Sequence, residues 1–286
     1  LQSRGLGDVY KRQALPRKSW PCRRVTPASS SGSCCRLERS DETDDRRAAA
    51  VSEWLEHADW WLREVDDDPI YRMDVLPMAA SLIGPCDGVV LDLGCGEGQV
   101  MRYLPGRVVG CDISPPLLLE AKGAGPVVRA KLPSLEWLRP GSVDVAYSIL
   151  VLEHLADLEL FASAARVVRP DGALAIVANH PAFTAAASGP VMDPSDGELL
   201  WRWGNYFESA SVDMPAGGSK VTFYHRPLDA ILNAAAAAGW RLVRVVELGL
   251  SDAAIAVHPG YAGQQHMPRL LGARWINTQG GRRSRR

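Results

Sequence analysis

The sequence predicts an α/β protein built on a doubly wound, mostly parallel sheet. Beyond Pro85, short apolar runs alternate with helically spaced segments, the order in which strands and crossover helices follow one another. The first of those runs passes directly into a glycine-rich loop and then a helix, "VVLDLGCGEGQV". No stretch approaches the roughly 20 uninterrupted apolar residues of a membrane helix. The most apolar run, at 230–240, is an alanine tract about half that long. With 286 residues, 47% of them hydrophobic and 23% charged, the chain can bury a sizeable core as one large domain or two small ones.

Residues 1–40 show no apolar periodicity and are rich in Arg, Ser, Pro and Cys. Such a segment cannot bury enough apolar surface to offset its ordering entropy. Its opening, "LQSRGLGDVYKRQ", resembles translated adapter read-through, so residues 1–40 are expected to be a disordered, non-native leader. The leader carries nine Lys/Arg against Asp8 and Glu38, whereas residues 41–281 carry 19 basic and 31 acidic residues. An acidic body does not track phosphates, which argues against a nucleic-acid partner. Only Cys86, Cys95 and Cys111 remain beyond the leader, and no C-x-x-C pair exists. Neither a disulfide framework nor a thiolate metal site is expected, and a reduced, cytoplasmic setting follows.

From Asp41 the pattern is helical: Ala48, Val51, Trp54, Leu55, Ala58 and Leu62 recur at steps of three and four, with acidic residues between. The acidic run at 66–68 and Pro69 end that helix, and a second follows Tyr71 and runs through Leu76 to Ile83. Seven strands are expected at 89–93, 107–112, 127–129, 143–148, 173–179, 242–248 and 270–275. Helices are expected at 98–104, 116–121, 158–168 and 228–238, the last closed by Gly239. Residues 180–226 fit neither period and, rich in Trp, Tyr, Gly and Pro, read as an inserted cap. The terminal "GGRRSRR" reads as a disordered basic tail over 278–286.

The sharpest signal is the loop itself, with Gly94, Gly96 and Gly98 at alternate positions. A tight turn with a ligand against its backbone needs residues without side-chain bulk. Eighteen residues past Gly94, Asp112 ends the second strand, where a carboxylate can accept both hydroxyls of a ribose. Loop and acid define a nucleoside-cofactor site. The dinucleotide fingerprint would require glycine at 99, but Gln stands there, which weakens an NAD(P)-dependent oxidoreductase reading. Asp92, two residues before the first glycine, would repel a pyrophosphate, yet suits a ligand's ammonium or a role in organising the loop.

These residues resemble the class I S-adenosylmethionine-dependent methyltransferases, of the small-molecule type with a minimal methyltransferase domain. The first motif of the family is similar to Asp92-Leu93-Gly94-Cys95-Gly96-Glu97-Gly98, and its second-strand acid to Asp112 in "GCDISP". Its fourth-strand stretch is similar to "GSVDVAYSILVLEHL", and its post-helix turn to "RVVRPDGAL". The resemblance implies a Rossmann-like, seven-stranded methyltransferase fold over residues 41–277, with N-terminal helices, a cap inserted at about 180–226, and a last strand antiparallel to the rest. It implies S-adenosyl-L-methionine as cofactor, bound by Asp92, Gly94, Cys95, Gly96, Gly98, Asp112, Ile113, Leu132 and Ser148. One position departs from the family: Ala130-Lys131-Leu132 stands where an acid often reads the adenine amine. Lysine cannot accept that hydrogen bond, so either Leu132 and backbone groups hold the adenine or cofactor affinity is reduced.

In-line transfer from a sulfonium asks an enzyme mainly for alignment and exclusion of water. A general base helps a hydroxyl acceptor, and His154, just past the fourth strand, and His180, just past the fifth, are the catalytic candidates, with His225 behind them. His154 equally suits a wall of the cofactor pocket or a structural role. Tyr71, Trp203, Tyr206, His225 and Arg226 are the candidate contacts to a small-molecule acceptor, Arg226 suiting a carboxylate, and Trp60 could close over the ligand with Tyr71. Core packing is the competing reading for each aromatic. No metal, nucleic acid or membrane is expected. A non-catalytic S-adenosylmethionine binder is the further alternative, motivated by Lys131.

Overall fold

The computed structural model describes Trp54 and residues 57–65, 68–216 and 219–279. The leader, most of the expected first helix and most of the basic tail lie outside the described residues. Helix α1 spans Ala58–Val65. Tyr71–Val75 then winds as a π-turn that runs into α2, Leu76–Ile83. One continuous α-helix was expected here. Pro77 lacks the N–H that would bond to residue 73, and the ladder widens just before it.

The sheet consists of β1 (Val89–Leu93), β2 (Arg107–Asp112), β3 (Val127–Arg129), β4 (Val143–Ile149), β5 (Val168–Asn179), β10 (Trp240–Leu248) and β11 (Leu270–Asn277). Its order is β10-β11-β5-β4-β1-β2-β3. The β1–β2, β2–β3, β1–β4 and β4–β5 pairs are parallel, while β11 runs antiparallel to both β5 and β10. This is the α/β, doubly wound, mostly parallel arrangement with an antiparallel last strand. The β5 strand starts earlier than the apolar run predicts, because the Pro170-Asp171-Gly172 turn bulges out between the pairs Val143–Val168 and Val145–Ala173.

Alternate residues of each central strand face opposite layers. Val90, Val108 and Val145 pack with α2, α3 (Gln99–Tyr103) and α4 (Pro115–Ala121). Leu91, Leu93 and Ala146 pack with α5 (Leu160–Val167) and α7 (Leu228–Ala237). Phe161 and Trp275, both fully buried, meet edge to face with centroids 5.6 Å apart. Truncating Phe161 to alanine would cost about 3–5 kcal/mol.

Between β5 and α7 the chain forms the short helix α6 (Pro181–Thr184) and two antiparallel hairpins, β6–β7 (Gly189–Met192 with Leu199–Arg202) and β8–β9 (Ala210–Ala216 with Ser219–His225). No strand was expected in this segment. β6 and β7 are exposed on nearly every residue, so they carry no alternation for a sequence pattern to show. Phe183, Met214, Val221 and Phe223 bury together against Trp54 and Trp60, fastening the insertion to the N-terminal helix. Helix α8 (Asp252–Val257) follows β10, and among the described residues no helix is long and apolar enough to cross a membrane.

Candidate active site

Strand order reverses between β1 and β4, with β2 and β3 to one side and β5 to the other. Loops leaving the two strands part there, which opens a crevice beyond their C-terminal ends. It holds about 970 Å³ of open space, part of it continuous with solvent. Lining it are the loops after β1, β2, β3 and β4, together with Tyr71, Trp54 and Trp61.

The β1 loop is strapped to β2: Gly94 and Cys95 N–H both donate to the Cys111 carbonyl, at 2.8 and 3.0 Å. Gly94 and Gly96 have φ of +83° and +52°, which L-residues with side chains rarely adopt. A Cβ on Gly94 would lie 2.6 Å from Val151 Cγ2, so this peptide slides under the exit of β4. A Cβ on Gly96 would meet nothing nearer than Trp61 Nε1 at 3.9 Å, so it would fill the cavity instead.

Asp112 holds the loop from the next strand. Its Oδ2 accepts from Gly96 N–H at 3.0 Å and its Oδ1 from Ser114 N–H at 2.8 Å, and each oxygen keeps a further lone pair toward the cavity it lines. Burial raises its pKa above the ordinary carboxylate value, opposed by the N–H groups of Ser114, Gly96 and Ile113. Glu97, buried, accepts from Trp61 Nε1 at 2.8 Å and closes the loop under α1. Glu97, Asp112 and Asp157 face the cavity with Lys131 as the opposing charge, a field that favours a cationic ligand.

His154 ends a 3₁₀ turn, Leu152–His154, on the far wall. Its ring stands edge-on between Trp54 and Phe223, each centroid 4.9 Å away. Burial lowers its pKa to about 4, with a hydrogen bond to the Thr222 backbone acting the other way. Nδ1 is buried and makes no hydrogen bond within the described chain.

A methyltransferase-domain family model matches residues 91–176, the span that holds the glycine loop, Asp112 and His154. An S-adenosylmethionine-dependent methyltransferase of known structure from Mesorhizobium loti is 28% identical, with a TM-score of 0.59 over 70% of this chain and 96% of that one. Residues 91–176 carry the methyltransferase domain of that family, on a fold similar to that of the class I S-adenosylmethionine-dependent methyltransferases. A ubiquinone biosynthesis O-methyltransferase from Mesorhizobium japonicum is 25% identical over 199 residues, 59% of this chain and 79% of that protein. An uncharacterised 37.1 kDa protein in transposon Tn4556 of Streptomyces fradiae is 38% identical over 96 residues, where this chain spans 28% of its length. The enzyme is a methyltransferase with S-adenosyl-L-methionine as cofactor, and nothing found supports a nicotinamide-dependent oxidoreductase. The residues present fit that cofactor: the open space over Gly96 admits it, Asp112 has lone pairs for its ribose, and the acidic walls suit its sulfonium.

Of the residues the sequence assigned to the methyltransferase's cofactor, Gly94, Cys95, Gly96, Asp112, Ile113 and Leu132 line the cavity, as does Lys131. Asp92, Gly98 and Ser148 do not. Asp92 is buried beneath the loop beside Tyr147, and desolvation drives its pKa well up. Gly98 stands just before α3 and abuts Ala121 and Ala124, and Ser148 is fully buried within β4.

On the acceptor side Tyr71 lines the cavity, while Trp203, Tyr206, His225 and Arg226 lie outside its lining. His225 sits between Thr184 Oγ1, at 2.9 Å, and the Tyr206 carbonyl, at 2.8 Å. The Tyr206 hydroxyl accepts from Leu228 N–H, and Trp203 is 56% exposed. Arg226 donates to the Leu152, Leu155 and Tyr224 carbonyls. His180 caps α6, accepting from Ala182 N–H on Nδ1 and bonding Glu247 through Nε2 at 2.7 Å. Trp60 packs in the apolar cluster of the insertion, and it is Trp54 and Trp61, not singled out from the sequence, that reach the cavity. They stand seven residues apart in the sequence, a helical spacing, and that spacing is the signal that could have found them.

Proposed function

We propose that the methyltransferase transfers the methyl group to a hydroxyl of a small organic acceptor, with His154 as general base. The observation that carries this reading is a neutral imidazole on the cavity wall whose Nδ1 has no partner in the chain. A basic nitrogen within reach of an acceptor hydroxyl takes its proton as the new bond forms, and such help is worth about 10²–10⁴-fold. When bound, S-adenosylmethionine supplies the methyl group on a sulfonium, an activated leaving group. Asp112 binds the ribose, the open face of Gly96 admits the ligand's backbone-hugging end, and Trp54, Trp61 and Tyr71 exclude water from the reacting atoms.

The O-methyltransferase among the relatives supports oxygen as the methylated atom. His180 is assigned to support of the insertion rather than to proton transfer, since both of its ring nitrogens are engaged. Residues 41–277 are read as the methyltransferase domain and 180–226 as the cap beside its acceptor side. The free thiols of Cys86, Cys95 and Cys111 and the acidic body support a cytoplasmic enzyme that does not act on nucleic acid. The test is incubation of the full chain with methyl-labelled S-adenosylmethionine and a panel of small phenols, alcohols, carboxylic acids, amines and thiols, read by mass spectrometry. Label on oxygen that His154→Gln abolishes is the expected result. Label confined to amines or thiols, or no labelled product from a protein that binds S-adenosylhomocysteine, would overturn it.

A further inference from the structure

We infer that Arg226 is a positioning residue for His154, and that the β8–β9 hairpin through it fixes which imidazole nitrogen carries the lone pair. The inference deepens the proposed base role of His154 and rests on that reading for its catalytic meaning alone.

The geometry begins at the 3₁₀ turn. Arg226, immediately after β9, donates to the carbonyls of Leu152 and Leu155, the first residue of the turn and the residue just after His154. It donates also to the Tyr224 carbonyl on its own strand. A rigid guanidinium fork thus spans the segment that carries the imidazole, a task that a lysine ammonium cannot reproduce. Three donors spent on backbone carbonyls leave Arg226 a brace of this segment rather than a hook for a substrate carboxylate.

The same strand contacts the ring itself. Phe223 meets it edge to face, and the Thr222 backbone takes its one hydrogen bond. Because Nδ1 has no partner, that bond comes from Nε2, and a carbonyl acceptor requires Nε2 to carry the proton. Nδ1 is then the lone-pair nitrogen. The hairpin is held in turn by His225, whose ring bridges Thr184 and the Tyr206 carbonyl. A histidine whose tautomer is set by a backbone acceptor and whose backbone is pinned by an arginine is pre-organised in its ring orientation and in the position of its proton.

The test is nitrogen-15 NMR of the full chain labelled at histidine, with the His154 signals assigned by their loss in His154→Gln. The wild-type protein is expected to show a single Nε2–H tautomer for His154. Arg226→Gln is expected to show averaged nitrogen shifts from both tautomers, with affinity for S-adenosylhomocysteine within about twofold of wild type, because the loops after β1 and β2 are untouched. Arg226→Lys, which keeps the charge but not the planar fork, is expected to fall between them, and it remains informative should Arg226→Gln fold poorly. An Nδ1–H tautomer in the wild type, or an unchanged single tautomer in both variants, would overturn the inference. Should the tautomer follow Arg226 while His154→Gln leaves methyl transfer intact, the positioning role stands and the base role falls.

Discussion

The loop after β1 is fastened by backbone bonds to the neighbouring strand and by a carboxylate one strand away, whereas the opposite wall is fastened by side chains reaching across the chain. Gly94 and Cys95 bond the Cys111 carbonyl, and Gly96 bonds Asp112, all within about one βα unit. Elsewhere His57 reaches the Lys220 carbonyl and Arg226 reaches the Leu155 carbonyl, while Trp61 ties the N-terminal helix to Glu97 of the β1 loop. The first wall is local in sequence and identifies the cofactor. The second is assembled from distant parts and carries His154, the base proposed for the acceptor, so the two should respond differently to substitution.

The largest separation is expected from His154→Gln, which should lower turnover by about 10²–10⁴-fold while leaving affinity for S-adenosylhomocysteine within about twofold. Equal losses in both would erase the division between the walls. Asp112→Ala should do the opposite, lowering that affinity at least tenfold, since each hydrogen bond to a charged group contributes about 1.5–3 kcal/mol. Calorimetry on the variant reads this directly, and unchanged affinity would remove Asp112 from the cofactor site.

How much of each wall the sequence shows follows from the same difference. The strands at 89–93 and 107–112 begin and end where the apolar runs do, because parallel strands inside the sheet are covered on both faces and their boundaries are turns, and the edge strand at 127–129 also matches its short apolar run. Asp112 follows from its place at the end of such a strand. By contrast, the cluster from Trp201 to Arg226 shows only that aromatic residues are dense there. Tyr206 turns out to bond the start of α7 and His225 the Tyr206 carbonyl, and nothing in their spacing distinguishes that from a pocket. The choice between Trp60 and Trp61 is a matter of helical phase, about 100° per residue, which a short amphipathic stretch defines poorly.

Smaller effects sharpen the comparison. Trp61→Phe removes the indole donor to Glu97 and keeps the ring's apolar bulk, so unfolding free energy should fall by roughly 0.5–1.5 kcal/mol in denaturant titration. His154 contributes a pH dependence as well. Its pKa is about 4 in the folded chain against 6.5 unperturbed, so the unfolded chain takes up the proton first as pH falls. Its stabilising contribution is present above pH 6.5 and is lost progressively toward pH 4. The denaturation midpoint of His154→Gln should therefore decline less across that window than the wild-type midpoint does. The smallest effect belongs to Trp203→Ala, at an exposed residue outside the cavity, where stability should stay within about 0.5 kcal/mol and cofactor affinity should not change.

The most direct measurement is calorimetric titration of the full chain with S-adenosylhomocysteine and, separately, with NAD. Saturable binding of S-adenosylhomocysteine at one site, weakened by Asp112→Ala, with no heat from NAD, is the expected result. Binding of NAD in its place, or S-adenosylhomocysteine binding indifferent to Asp112, would contradict the assignment of the cavity.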